Sequence, residues 1–256
     1  PPAFSYFTDM YGDAYPLLGD YFREQSYGLI NLAGSTAVGW YTLPQPRSYY
    51  VYDRTGDGVA DIDSFRTATD CTAVADADVD FSEYVGINLM FNWELDGNAY
   101  GGGWGGTRDG VTRWWNMTWQ PIWGWTNISN MEHEMGHSFG LPHSSAGYGL
   151  VYDNPWDVMS DSWFNCGAFM DLPYGCRGQH INADYKARLG WISDAHTLTV
   201  NPGSQQTVTL EGLALPQSPA FKLIHVRQCA ASPYYTVEMR SLSGYDAKLP
   251  AAAVII

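Results

Sequence analysis

The sequence predicts an α+β fold, and two patterns lead to that prediction. Up to about residue 195, strand-like and helix-like segments alternate, which favours a mixed, twisted sheet with helices packed on it. From residue 196 onward, short apolar runs recur at roughly ten-residue spacing, which is typical of all-β structure. We therefore expect a first domain over residues 1–195 and a β-rich region over residues 196–256.

The bounds of the individual segments follow from hydrophobic periodicity. In the first domain, the predicted strands are 29–38, 49–52 and 85–92, and the predicted helices are 61–77, about 130–139 and near 182–189. In the β-rich region, the predicted strands are 196–200, 206–210, 221–227, 234–240 and 252–256. Because an apolar strand is an unusual terminus, we expect the β-rich region to be truncated at Ile256.

Residues 97–125 are rich in glycine and tryptophan, and two interpretations of this stretch remain open. The first is a loop whose aromatic side chains pack on the core. The second is an edge strand beside the helix that follows, to which an extended peptide could add through backbone hydrogen bonds. A phosphate-binding loop is not indicated, because the stretch contains no lysine and no G-x-x-x-x-G-K-[ST] pattern.

The most informative segment is HEMGHSFGLPH at residues 133–143, which matches the pattern H-E-x-x-H-x-x-G-x-x-H. His133 and His137 lie four residues apart, so on a helix both imidazoles leave the same face. Gly140 can adopt a positive φ, which ends the helix and turns the chain so that His143 returns to the same site. Three histidine ligands with an open fourth position are typical of catalytic zinc.

The residues around the motif support the helix predicted over about 130–139. Ser129 and Glu132 match a capping box, in which each side chain binds a free backbone N–H of the first turn. Ile128, Met131, Met135 and Phe139 recur at three- and four-residue steps and give an apolar stripe. The segment therefore has both a start signal and a face to bury.

Glu134 is the predicted catalytic residue. It lies one step around the helix from the ligands, so it can reach a water on the zinc ion without binding the metal itself. A carboxylate in that place can take a proton from the water and pass it to the leaving nitrogen of a peptide bond. The motif thus predicts a hydrolase that acts on proteins or peptides.

The motif resembles the zinc signature of the metzincin metallopeptidases, and the flanking segments resemble secreted peptidases of the gametolysin and immune-inhibitor-A type. The flanking resemblance lies in residues 21–28, 39–44, 189–192, 234–240 and 244–246. It implies a metzincin-like zincin domain with an upper lobe over about 1–140 and a lower lobe over about 141–195. It also implies a secreted zinc endopeptidase.

The resemblance implies further site residues. Met159, downstream of the third histidine, matches the methionine-containing turn of metzincins, whose thioether forms an apolar floor under the imidazoles. Several metzincins have a tyrosine two positions after that methionine, which can bind zinc or steady the oxyanion, but this sequence has Asp161 there. For that role the alternatives are Tyr148, Tyr152 and His180.

Two other classes of function remain open. One is a binding protein that has lost catalysis on a protease scaffold, although the intact Glu134 argues against it. The other is a carbohydrate-active protein, suggested by 11 Trp and 18 Tyr, which would require a pair of suitably placed carboxylates.

Charge and composition restrict the partners and the compartment. A net charge of −14 argues against nucleic acids and anionic membrane surfaces as partners. No apolar run reaches the roughly 18 residues that a membrane helix needs. We therefore expect a secreted, monomeric protein.

The four cysteines predict up to two disulfides in an oxidising compartment. Cys166 and Cys176 are close in sequence and are expected to bridge, which would leave Cys71 to pair with Cys229. Four cysteines allow three pairings, so this connectivity is one of three.

Two weaker motifs predict a modification and a second metal. Asn116 and Asn127 each begin an N-x-S/T sequon, which predicts N-glycosylation in a secreted protein. Residues 53–64 partly imitate a calcium loop, although Ser64 stands where the bidentate glutamate is usual. The alternative for this loop is a solvated turn that leads into a helix.

Overall fold

Helices and strands are interspersed along the chain, which confirms the predicted α+β class. The structure is a computed structural model and describes residues 1–145, 150–163, 166, 173–214, 219–229 and 234–256. These residues divide into two compact units: Pro1–Met10 with Gly34–Pro142, and Tyr11–Ala33 with His143–Ile256. The predicted domain boundary at residue 195 stays a prediction.

The elements of the described residues are as follows. The helices are α1 (Phe4–Met10), α2 (Leu18–Gln25), α3 (Arg47–Tyr50), α4 (Ser64–Ala75), α5 (Ile122–Trp125), α6 (Ile128–Ser138) and α7 (Ala183–Arg188). The strands are β1 (Val51–Tyr52), β2 (Asp61–Ile62), β3 (Gly86–Met90), β4 (Tyr100–Arg108), β5 (Val111–Gln120), β6 (Thr197–Val200), β7 (Leu223–Arg227), β8 (Tyr234–Arg240) and β9 (Ala253–Ile255).

The first unit contains a three-stranded mixed sheet with the order β3–β5–β4. The central strand β5 pairs in parallel with β3 and antiparallel with β4. Asp109 and Gly110 connect β4 to β5 with φ values of 48° and 73°, as a two-residue type I′ turn requires. The glycine- and tryptophan-rich stretch therefore contains a hairpin that supplies an edge strand. The predicted loop is wrong, whereas the predicted packing of its aromatic side chains on the core is confirmed.

Aromatic side chains build the core on one face of this sheet. Trp104 and Trp115 stack with their ring centroids 5.5 Å apart, and Met117 and Trp119 follow Trp115 at the two-residue period of a strand. The indole of Trp104 donates to Thr69 Oγ1 at 3.2 Å, which connects the sheet to α4. This face is covered by α4, while the opposite face meets α6.

The predicted helix over 61–77 is confirmed as α4, with a later start. Residues 61 and 62 pair with β1 as strand β2 instead. The carboxylate of Asp63 then accepts a hydrogen bond from the backbone N–H of Arg66, which caps the helix. The predicted strand 85–92 and the predicted helices near 130–139 and 182–189 are confirmed as β3, α6 and α7.

Two predicted strands of the N-terminal half are corrected. Residues 29–38 form no strand, because the Asn31 side chain accepts a hydrogen bond from the Ala33 N–H and Gly34 turns with a φ of 88°. Only the last two residues of 49–52 are extended, as β1, since α3 follows Pro46. Local turn chemistry thus overrides the apolar pattern at both places.

The second unit contains a four-stranded sheet with the order β6–β7–β8–β9. The pair β6–β7 is parallel, whereas β7–β8 and β8–β9 are antiparallel. These strands confirm the predictions at 196–200, 221–227, 234–240 and 252–256. The predicted strand 206–210 is wrong, because that segment contributes only one isolated bridge, from Leu210 to Phe221.

The disulfide prediction is confirmed in part. Cys166 and Cys176 are bridged, with Cα atoms 5.1 Å apart. The second predicted bridge is wrong, because neither Cys71 nor Cys229 forms a disulfide. Burial on α4 raises the pKa of the Cys71 thiol to about 12, so this side chain behaves as a small apolar group.

The two sequons lie on elements of the first unit. Asn116 is half-buried in the central strand β5, and the Oγ1 of its sequon partner Thr118 donates to Asn88 at 2.6 Å. Asn127 precedes α6, and its Nδ2 donates to the Trp123 carbonyl at 2.8 Å. Glycosylation at either asparagine stays a prediction. None of the described helices is both long and apolar enough to cross a membrane.

Candidate metal centre

The helix α6 carries the first part of the motif in a largely buried setting. His133 and Glu134 are buried although both are polar, because α6 lies directly against the edge strand. A Cβ atom placed on Gly101 of β4 would overlap the Glu134 carbonyl oxygen and lie 2.7 Å from His137 Cβ. The glycine therefore permits a backbone-to-backbone approach between strand and helix.

The start of α6 differs from the predicted capping box. The helix begins after Asn127, whose side chain makes no capping hydrogen bond. Ser129 and Glu132 consequently lie within the helix, where both are fully buried. The S-x-x-E pattern of Ser129 and Glu132 therefore does not mark the start of α6.

The end of α6 confirms the predicted role of Gly140. Its φ is 92°, its N–H donates to the His137 carbonyl at 2.9 Å, and the Leu141 N–H donates to the Gly136 carbonyl at 3.1 Å. This pair of bonds is a Schellman motif. The chain leaves the helix there and reaches His143 three residues later.

The three predicted histidines form a group that could hold a metal ion. One ring nitrogen from each of His133, His137 and His143 lies within 4.8 Å of the other two. The Nε2 atoms of His133 and His137 are 3.0 Å apart. Two nitrogens that bind one metal ion tetrahedrally at about 2.0–2.1 Å lie roughly 3.3 Å apart, so the spacing of this pair is close to that of two ligands of one ion.

A backbone carbonyl orients one of these imidazoles. The Nδ1 of His137 lies 2.7 Å from the Leu141 carbonyl oxygen, which can only accept, so Nδ1 carries the proton. The Nε2 atom is then the unprotonated nitrogen and can bind a metal. The Schellman turn therefore positions Leu141 and, through it, selects the tautomer of His137.

The protonation of Glu134 and His143 follows from desolvation. Burial raises the pKa of the Glu134 carboxyl to about 8, and a divalent cation held nearby would favour the ionised form instead. Partial burial lowers the pKa of His143, so its ring is neutral near pH 7. A neutral imidazole is the form that binds metal.

Met159 lies in a turn that is hydrogen-bonded to the segment of the third histidine. Its side chain is fully buried, and its carbonyl accepts a hydrogen bond from the Ser144 N–H at 3.0 Å. The Tyr185 hydroxyl donates to the His143 carbonyl at 3.2 Å and fixes the same segment. The assignment of Met159 to a metzincin Met-turn stays a prediction.

Sequence reasoning missed Asp157, which organises this turn. Its fully buried carboxylate accepts from Ser144 Oγ at 2.7 Å, from the Met159 N–H at 3.0 Å and from Asn182 Nδ2. Burial raises the pKa of this carboxyl, and the three donors oppose that shift. The only feature of the sequence that could have indicated Asp157 is its position two residues before Met159.

We expect the Asp157→Asn variant to bind a metal ion at the three histidines about 10- to 100-fold more weakly, as is typical when a group that orients a metal ligand is lost. The asparagine amide keeps one acceptor oxygen, but an NH₂ group replaces the other and faces hydrogen-bond donors. The segment that contains His143 therefore loses a hydrogen bond that holds it in place. Competition with a chromophoric chelator measures the affinity. Asp161→Asn is the matched control, because Asp161 accepts from the Trp163 N–H and lies in the same segment. Equal affinities for the two variants would contradict the prediction.

The three residues predicted to stabilise a transition state have different outcomes. The Tyr152 hydroxyl lies 3.4 Å from His143 Nε2, with the ring centroids 4.8 Å apart, so the structure brings it to the third histidine. Tyr148 lies outside the described residues. The ring of His180 is fully buried between Glu24, at 2.7 Å, and Lys186, at 2.8 Å, and its role at the site stays a prediction.

The predicted calcium loop forms a backbone-capped turn. The Asp53 carboxylate accepts hydrogen bonds from the N–H groups of Gly56, Asp57 and Gly58, which lower its pKa. Throughout the residues that the structure describes, the three histidines are the only group of at least three His, Cys, Asp or Glu side chains arranged to hold a metal. Calcium at residues 53–64 is therefore not supported.

Comparisons with known proteins give no further information about this site. No protein-family model matches the chain, no curated protein is similar to it, and no solved structure resembles it at a significant level.

Proposed function

We propose that this protein is a secreted, zinc-dependent endopeptidase of the metzincin type. The observation that carries the proposal is the group of three imidazole nitrogens within 4.8 Å, with the buried Glu134 next to one of them on the same helix. Structural zinc sites use four protein ligands, whereas three histidines leave one position for a reactant.

In the proposed reaction His133, His137 and His143 hold the metal. When bound, zinc supplies Lewis-acid catalysis and lowers the pKa of a coordinated water toward neutrality. Glu134 accepts the proton of the attacking water on its carboxylate and donates it to the leaving amine nitrogen. Burial raises the pKa of this carboxyl and makes its carboxylate a stronger base, while a bound cation would act in the opposite direction.

The edge strand β4 supports a peptide as the substrate. Among the described residues, β4 pairs on one side only, with β5, and it contacts α6 at Gly101. An extended peptide that added to the open side of β4 would therefore pass beside the catalytic helix. Tyr152 is the residue that we propose to stabilise the developing oxyanion, since its hydroxyl lies near His143 and can donate a hydrogen bond.

The Cys166–Cys176 disulfide supports the proposed secretion, because such bonds persist in oxidising compartments. The acidic net charge of −14 supports a protein or peptide substrate over a nucleic acid. A monomer remains our proposal for the assembly.

Zinc content and chelation test the proposal. We expect about one zinc per chain by elemental analysis, hydrolysis of casein that stops when a chelator removes the metal, and recovery of hydrolysis when zinc is restored. His143→Ala should lose both zinc and hydrolysis, whereas His196→Ala should lose neither, since His196 lies outside the group.

A protein that binds zinc but cleaves no protein substrate would instead be a binding protein on a protease scaffold. Release of sugars rather than peptides would indicate the carbohydrate-active alternative.

A further inference from the structure

The exposed indole of Trp114 lies against the glycines of the edge strand. A Cβ atom on Gly103 would overlap the indole and lie 2.7 Å from its Cζ2, and one on Gly105 would lie 3.3 Å from its Cε3. Trp114 is 66 % exposed and pairs with Gly105 across the hairpin. Two positions without side chains thus let the ring lie close over β4 with most of its surface in solvent.

The same face of β4 meets the catalytic helix. Gly101, Gly103 and Gly105 share this face, because strand side chains alternate with a period of two. At about 3.3 Å per residue, Gly103 lies roughly 7 Å along the strand from Gly101, which contacts Glu134 and His137. The nearest part of the indole therefore lies about two residues along β4 from Gly101, the residue that contacts Glu134 and His137.

The two neighbouring tryptophans of β5, Trp114 and Trp115, differ sharply in exposure. The neighbouring Trp115 is fully buried and donates to the Tyr84 carbonyl at 2.9 Å. Trp114, on the opposite face, is largely exposed and lies over the glycine backbone of β4. Exposed aromatic side chains on a rigid element are common contact residues in recognition.

We infer that Trp114 is a specificity-determining residue that selects an aromatic or large aliphatic side chain of an extended peptide substrate. This inference rests on the proposed peptidase function. A peptide that paired with β4 would lie about 4.7–4.9 Å away and would place every second side chain on the face of the indole. The selected side chain is the one opposite Gly103, two residues from the one opposite Gly101. Apolar pairs across neighbouring strands are favourable, whereas a charged side chain there would lose hydration.

Quenched fluorescent peptides that vary one position at a time test this subsite. The wild-type protein should cleave peptides with phenylalanine or leucine at one position about fivefold more efficiently than peptides with glycine there, mainly through KM. Trp114→Ala should abolish this preference, and Trp114→Phe should restore most of it. Trp93→Ala is the matched control, because Trp93 is also 66 % exposed and lies outside the hairpin.

A binding measurement separates this inference from the proposed function. The Glu134→Gln variant and the double variant with Trp114→Ala are titrated with the same peptides, and binding is measured by calorimetry. If the wild-type protein cleaves nothing, the peptidase proposal fails. The subsite is still supported if the double variant binds the phenylalanine peptide more weakly than Glu134→Gln alone does. An unchanged side-chain preference in Trp114→Ala would overturn the inference, as would Trp114-dependent binding of oligosaccharides in place of peptides.

Discussion

Replacing Glu134 with glutamine is expected to lower kcat for peptide hydrolysis by about 10²–10⁴-fold, the usual contribution of a general base. Glutamine has nearly the same shape, but its amide cannot accept the proton of the attacking water. The histidines are unchanged, so zinc should remain bound at about one ion per chain. Initial rates at saturating peptide, together with elemental analysis, measure the two quantities.

The fold of this variant should survive, because desolvation alone raises the pKa of Glu134 and a neutral amide avoids that cost. Glu132→Gln is the matched control, since Glu132 is also buried in α6 and lies two residues earlier on a different side of the helix. We expect Glu132→Gln to keep kcat within a few-fold of the wild-type value. Wild-type turnover by Glu134→Gln would exclude the proposed mechanism.

The local part of the candidate site could be predicted from the sequence. His133 and His137 are related by the geometry of one helix, and the positive φ of Gly140 is a property that few other residues permit. The convergence of three imidazoles therefore depends on about ten consecutive residues. Short-range geometry of this kind is encoded in spacing, so the metal group was found where the pattern predicted it.

The remaining features depend on contacts between distant segments. Asp157 acts through Ser144 and Asn182, 13 and 25 residues away, and periodicity contains no information about such partners. The Asp109–Gly110 turn is a strong hairpin signal, and its recognition would have resolved the interpretation of residues 97–125. His180 is a further example, since its contacts with Glu24 and Lys186 in a buried polar network could not be read from the sequence.

The second large effect is expected at Gly101, where alanine should destabilise the protein by about 3 kcal/mol. The new Cβ would overlap the Glu134 carbonyl oxygen and crowd His137 Cβ at 2.7 Å. Both obstacles belong to the helix itself, so no flexible side chain can move aside, and either β4 or α6 must shift. Because a misplacement of about 1 Å can cost roughly 100-fold in rate, kcat/KM for peptides should fall steeply in the fraction that still folds.

The adjacent Gly102 provides the control, because a Cβ there would meet no atom within 4 Å. Gly102→Ala adds the same methyl group to the same edge strand, so it tests the effect of alanine on the strand without the clash. We expect its free energy of unfolding, measured in urea, to stay within about 1 kcal/mol of the wild-type value. Equal losses at both positions would show that the strand needs glycine for conformational reasons and not for contact with α6. A loss confined to Gly101 would support direct packing of the edge strand on the helix that carries His133, Glu134 and His137.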